Sequence, residues 1–556
     1  MKKLKIWAAA LVTLPLALAA CSSGAADAGS DAGSEGAATA EVDTSTFVVV
    51  NNTEPQNPLV PANTNETGGG LILDHIFAGL QYYDVDGNPQ LEVAKSIESD
   101  DNQNWTITLN DGWTFSDGSP VTAQSFVDAW NQSVKHNMLN AYFFESIAGY
   151  PEALAAAEAA IEAGGVGDVD MTGLKVVDDK TFTVELLQPE SDFPLRLGYS
   201  AFYPLPEAGI GDPEKVAAFG EAPVSNGPYL VKEGSWKHNE EITLVPNPDY
   251  KGGRTPKNAG LLLRFYTTQD AAYNDLLSGQ LDVLDAIPDS AFGTFENDLG
   301  DRAVNQASAV FQSFTIPKND TRFQGEAGLL RKQALSMAIN RQEITDTIFQ
   351  GTRTPATDFI APVIPGHNDK LAGVDVLSYN PEKAKELWAQ ADAIEPWSGD
   401  FEIAYNSDGG HQAWVDATIN SIKNTLGIEA VGAPYPDFKS LRDEVTNRTI
   451  ETAFRTGWQA DYPSPFNFLG PLYGTNASSN DGDYSNEEFD SLLKQALNTA
   501  DQTEAFKLYD QAQEILLADL PAFPLWYSNV VGGSSEAVQG VQFGWNSKPL
   551  LYEITK

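Results

Sequence analysis

Cysteine is almost absent: the 556-residue chain has one, Cys21. A single thiol excludes an intrachain disulfide framework and a cysteine-based zinc site. Histidine is scarce too. The five, His75, His136, His238, His367 and His411, are scattered without metal-ligand spacing. No Walker A, HExxH, GxSxG elbow or GxGxxG behind a strand occurs, so the common enzyme signatures give no reaction to assign. Acids are abundant instead, 77 against 34 Lys and Arg. With so many carboxylates some lie close by chance, and no glycosidase-like acid pair stands out. The net charge of −43 repels nucleic acid and anionic lipid. Solubility is its simplest meaning, and a preference for cationic substrates is compatible with it.

Long apolar runs are also missing, apart from Ile6–Ala20, which Pro15 interrupts. That run is too short for a spanning helix. It follows the basic residues Lys2, Lys3 and Lys5 and reads as a signal peptide over residues 1–20. It ends Leu18-Ala19-Ala20-Cys21, which resembles a bacterial lipobox, so the cysteine is expected to carry a lipid. Two or more acyl chains anchor durably where one is marginal. Residues 22–44 are Ser/Gly/Ala-rich with scattered acids and no apolar periodicity, a flexible tether.

The rest has globular composition, 42% hydrophobic and 10% aromatic, and its length suggests more than one compact unit. Phe47–Val50 predicts a buried strand and Trp105–Leu109 a half-buried one. Asp111-Gly112 and Asp117-Gly118 mark turns. Thr122 is a suitable N-cap for a helix from Ala123 to about Val134, with Phe126, Val127 and Trp130 on one face. Further helices are predicted over Glu152–Ala163, from about Leu329 to Ile339, and twice within Glu487–Ala518 with a break near Thr499–Gln502. Gly474–Asp483 reads as a loop, and no solenoid-type repeat is present. The class is mixed α/β.

Six segments, in order, resemble the peptide/nickel-binding family of extracytoplasmic solute-binding proteins (family 5), which includes oligopeptide- and dipeptide-binding proteins. They are Asn51–Gln56, Ile76–Leu80 with Asp84–Pro89, Trp113–Ala123, Ser225–Tyr229, Arg331–Arg341 and Gly457–Pro463. The resemblance implies a two-lobed periplasmic-binding-protein-like α/β fold (type II, the large cluster with an extra inserted subdomain). Lobe 1 would comprise residues 45–80, 197–307 and 527–556, with the insertion at 81–196, and lobe 2 residues 308–526. Hinge crossovers are expected near Ala307–Val310 and Leu525–Ser528. The implied function is capture of peptides and their delivery to ABC permease subunits driven by cytoplasmic ATPases, by a monomer with no cofactor, no metal and no catalysis. The implied location is outside the cytoplasmic membrane, held by the lipid on Cys21.

A promiscuous peptide binder should bond the backbone, pair the termini and leave room for side chains. By the family's pattern Asp461 takes the peptide N-terminus, although an aspartate before Tyr462-Pro463 also suits a turn. Gly457 and Gln459 match positions whose backbone bonds peptide, and Trp458 lies in the same cleft. Arg455 matches a carboxylate-binding arginine, and His411 a histidine serving longer peptides; an ion pair is the plain alternative for each. Phe438 matches a pocket wall, and Tyr142 would line the cleft from the insertion. Thr67 lies in Asn65–Gly68, which aligns with a strand-adding stretch, although Gly68-Gly69-Gly70 departs from the family pattern. Arg448 is a second candidate for the carboxylate. Family members that bind nickel chelates, sugars, haem or opines, an extracellular hydrolase, and a lipid-anchored adhesin remain the alternatives.

Overall fold

The computed structural model describes residues 46–556, apart from Asp437 and Ser478 and the side chains of Asp408 and Lys439. The leader, Cys21 and the tether lie outside the described residues. Among the described residues no helix is long and apolar enough to cross a membrane.

An eleven-stranded mixed sheet organises the fold. Its order from one edge is Ala430–Tyr435, Phe401–Asn406, Ala453–Gln459, Ala303–Thr315 and Ala522–Ser534. It continues through Val283–Leu284, Val48–Asn52, Leu261–Phe265, Glu241–Pro246 and Tyr229–Val231. The short strand Arg353–Pro355 pairs off this path with Ala522–Ser534. Two 13-residue strands, Ala303–Thr315 and Ala522–Ser534, pair antiparallel and connect the two halves. The far end of the first meets Ala453–Gln459, whereas Gly533 and Ser534 of the second meet Val283–Leu284. Register shifts between Ala307 and Val310, so Ser308 and Ala309 form a bulge, which bends a strand and increases its twist. There Ser308 Oγ donates to the Ser528 carbonyl at 2.8 Å.

The two halves have separate cores. One gathers Val50, Ile72, Trp130, Phe182 and Leu263; the other gathers Phe314, Leu335, Trp388, Ile403 and Phe523. A second sheet of four antiparallel strands within Ala94–Glu185 packs on the helix Ala123–Lys135. Its Phe182 and the helix's Phe126 stack at 5.8 Å, with Trp130 edge-on to both. This is the apolar face that the spacing of Phe126, Val127 and Trp130 predicts. The helix also starts where expected: the Thr122 N–H donates to Ser125 Oγ at 3.2 Å.

Several family-like segments prove to be joints of this scaffold. Asn226 is fully buried and exchanges two hydrogen bonds with the Ala78 backbone, both at 3.0 Å, tying Ser225–Tyr229 to Ile76–Leu80. Gly227 must be glycine, because a Cβ there would lie 2.3 Å from the Ile76 carbonyl carbon. Arg331 and Arg341 are both buried and cap main-chain carbonyls: Arg331 that of Arg322, Arg341 those of Pro524, Ser336 and Leu377.

Candidate functional site

The strand Ala453–Gln459 is paired along one side with Val310–Thr315. On its other side it meets Phe401–Asn406 only at Ala453 and Phe454. From Arg455 to Gln459 that second edge has no strand partner among the described residues. An open edge offers main-chain donors and acceptors to an extended ligand.

Two cavities lie along this segment, and Trp458 lines both. The first, about 370 Å³, is bounded by Gln459 and Asp461 from one half and by Thr67, Tyr142, Tyr199 and Lys548 from elsewhere. The second, about 230 Å³, is bounded by Phe438, Arg442, Arg455, Gly457 and Tyr484. Gln459 also donates its side-chain amide to the carbonyl of Asn546, which lines the first cavity too, at 3.1 Å.

Asp461 carries the distinctive electrostatics. Its carboxylate accepts from Asn467 Nδ2 at 3.2 Å and has no cation within ion-pair distance among the described residues. Burial pushes its acid up from the usual 3.8 to about 6, against the opposing Asn467 hydrogen bond and the positive charge of Lys548. The Lys548 ammonium pairs with Asp74 at 2.5 Å, and Tyr203 donates its hydroxyl to the same carboxylate at 3.2 Å. The other acids on the wall are occupied. Glu66 accepts twice from the Gly69 N–H, and Asp84 is held by its own turn through the N–H groups of Asp86 and Asn88. The hydroxyls of Tyr142 and Tyr199 are raised by burial first and by the Asp461 charge second. Asp461 is therefore a buried acid with no ion-pair partner among the described residues, at the end of an open strand edge.

The expected residues fall into three groups. Asp461, Gln459, Trp458, Tyr142 and Thr67 meet in the first cavity, and Arg455, Phe438, Gly457 and again Trp458 in the second. His411 lines neither. It accepts from Trp414 Nε1 at 3.0 Å, and its neighbours Gly409 and Gly410 face Asp289 and Arg353 in another opening. The Arg455 guanidinium lies 4.8 Å over the Phe438 ring, and its Nε donates to Asn406 Oδ1 at 2.8 Å.

Two expectations need correction. Asn65–Gly68 is not a strand: Thr67 opens the helix Thr67–Ile76, and Glu66 is its N-cap. The glycines explain why. A Cβ at Gly68 would stand 2.5 Å from Thr53 Oγ1, and one at Gly69 2.7 Å from Thr64 Cγ2, so the first helical turn packs where side chains cannot. Arg448 is engaged in ion pairs with Asp483 at 3.0 Å and Asp481 at 3.4 Å, and it lines neither cavity. Sequence reasoning missed Lys548, Asp74 and Asn467. Lys548 lies near the C-terminus in no motif, and Asn467 reaches Asp461 only because the chain turns at Tyr462–Ser464.

Residues 88–480 match the model of bacterial extracellular solute-binding proteins, family 5 (middle). The chain belongs to this family. The family 5 relatives include the oligopeptide-binding protein OppA of Bacillus subtilis (strain 168), 28% identical over 503 residues, which are 88% of each chain. They also include the probable deoxycholate-binding periplasmic protein YgiS of Escherichia coli K12, 28% identical over 498 residues, 86% of this chain and 88% of that one. Among solved structures, the Escherichia coli murein tripeptide binding protein MppA superposes with a TM-score of 0.74 at 22% identity, covering 92% of this chain and 98% of its own. The fold is thus that of the periplasmic binding proteins, as the six segments imply.

Proposed function

We propose that this family 5 protein captures peptides between its two halves and delivers them to the permease of an ABC importer. The single observation that carries this is the buried Asp461 carboxylate, without an ion-pair partner among the described residues, at the end of the open Arg455–Gln459 edge. An ammonium suits the carboxylate, and an extended backbone suits the edge. Tyrosine and tryptophan walls tolerate varied side chains, because aromatic surface combines apolar area with a polar tip. Arg455 and Phe438 in the second cavity would serve the remainder of the ligand.

In this reading the bulge at Ser308–Ala309 and the facing Leu525–Ser528 segment are the hinge, residues 308–526 are one lobe and the rest the other. The chain works as a monomeric binder without catalysis. Cys21 at the end of the lipobox would hold it by a lipid outside the cytoplasmic membrane, with residues 22–44 as tether.

Denaturing the purified protein and identifying the released small molecules by mass spectrometry tests the ligand class. Peptides with free amines are the expected result. A steroid, sugar or metal chelate in stoichiometric amount would replace the peptide reading.

A further inference from the structure

Asn467 is 2% exposed, in the first turn of the helix Pro465–Tyr473. That turn is pinned from outside: Ser464 Oγ caps it by accepting from the Phe466 N–H at 3.2 Å and donates to Asp192 Oδ2 at 3.0 Å. Three hydrogen bonds involve the Asn467 carboxamide. Nδ2 donates to Asp461 Oδ2 at 3.2 Å. Oδ1 accepts from the Asp461 main-chain N–H at 2.9 Å and from Trp458 Nε1 at 3.1 Å. An amide oxygen offers two acceptor sites, and both are used. The orientation of the amide is therefore fixed, because a flip would set its NH₂ against two N–H donors.

We propose that Asn467 is a positioning residue of the ammonium site, one that sets the rotamer of Asp461 and the plane of Trp458 together. This rests on the reading of Asp461 as the partner of a ligand amine. Among the described residues the Asp461 carboxylate has no other side-chain hydrogen bond, so Asn467 supplies the one directional contact on its rotamer. Trp458 is the wall shared by the two cavities, and its indole N–H is fixed by the same oxygen. Amine recognition and the shape of the second cavity are thereby one unit.

Lys548 and the hydroxyls of Tyr83, Tyr142, Tyr199 and Tyr462 interact electrostatically with Asp461, and Glu66, Asp74, Asp84 and Arg254 line the same cavity. Burial raises all four tyrosines, and His75 on the same cavity wall is lowered to about 4. Asp461, raised to about 6, titrates within the range from pH 5 to 8, and the peptide's own α-amine begins to lose its proton only towards pH 8.

The test uses tetraalanine and N-acetyl-tetraalanine, with affinities measured by calorimetry from pH 5 to 8 on the full chain. Asn467→Asp keeps an acceptor for both N–H groups but removes the donor and sets a second acid beside Asp461. Two carboxylates sharing a site retain one proton to higher pH. The expected result is a pH midpoint of free-amine binding raised by about one to two pH units, with affinity at pH 7 lowered roughly twofold to tenfold. Affinity for the acetylated peptide should stay within about twofold. Asn467→Leu, close in volume, should cost free-amine affinity similarly and also alter the Trp458 fluorescence. If the parent prefers the free amine and Asn467→Asp keeps both that preference and the parental midpoint, the positioning role is overturned while the reading of Asp461 stands. If the parent does not prefer the free amine, both fall.

Discussion

Lys548 gives its ammonium to Asp74 at 2.5 Å, and so the one lysine on the wall of the Asp461 cavity is engaged before any ligand enters. Its charge still reaches Asp461 and favours the ionised acid. If Asp461 binds an ammonium, Asp74 would keep this internal cation from competing for it. Asp74→Asn is expected to weaken binding of a free-amine peptide about two- to tenfold, a partly exposed pair being worth about 1 kcal/mol. Adding Lys548→Met to that variant should restore the affinity. A double variant no better than Asp74→Asn alone would show that Lys548 does not compete.

Acidity offers a second check. The folded acid of Asp461 sits near 6, above its ordinary 3.8, because burial disfavours the charge. A group whose acid is raised on folding adds stability as pH falls through its folded value towards its unfolded one. Ligand-free Asp461→Asn should therefore exceed the parent in stability at pH 7.5 by about 1–3 kcal/mol, since each tenfold change in acidity is worth about 1.4 kcal/mol. The difference should vanish near pH 4. Ammonium binding requires the ionised acid, so at pH 6 it should release protons, seen as a binding enthalpy that changes with the ionisation enthalpy of the buffer. Equal enthalpies in phosphate and Tris would contradict this.

The two long strands make their own prediction. Phe314 and Phe523 face each other across them, fully buried, with ring centroids 4.3 Å apart and planes within 6°. Phe523→Ala should cost about 3–5 kcal/mol by emptying this part of the core. Denaturant unfolding measures it, and a loss under about 1 kcal/mol would mean the surrounding rings collapse into the space.

If a peptide adds to the open Arg455–Gln459 edge, alternate residues of it point their N–H groups at the strand. N-methylation along tetraalanine should then cost affinity at every second position, about two- to tenfold for each lost hydrogen bond. A loss that does not alternate would remove the strand-addition geometry.

The class and several elements were legible because local chemistry and tertiary packing agree there. The helix after Thr122 and the break between Glu487–Asn498 and Gln502–Asp519 follow from capping and apolar spacing alone. The Asn226 and Gly227 positions were legible only as pieces of a family pattern, and the fold shows their cause in the clamp on Ala78. The geometry at Thr67 was not legible: Gly68-Gly69-Gly70 departs from the family pattern, and in the fold these glycines pack against Thr53 and Thr64 in the first turn of a helix. Asp461 stands out in the sequence by its motif. The Lys548–Asp74 pair spans 474 positions, and no local rule links residues so far apart.

The most direct measurement is a four-way calorimetric cycle: parent and Asp461→Asn, each with tetraalanine and its N-acetyl form. Removing one partner of a desolvated charge pair costs about 3–5 kcal/mol, which is roughly two to four decades in affinity. Acetylation should therefore damage binding to the parent severely and binding to Asp461→Asn much less, giving a coupling of several kcal/mol. A coupling near zero would mean that Asp461 is a turn residue and that the ligand's amine, if it has one, is held elsewhere.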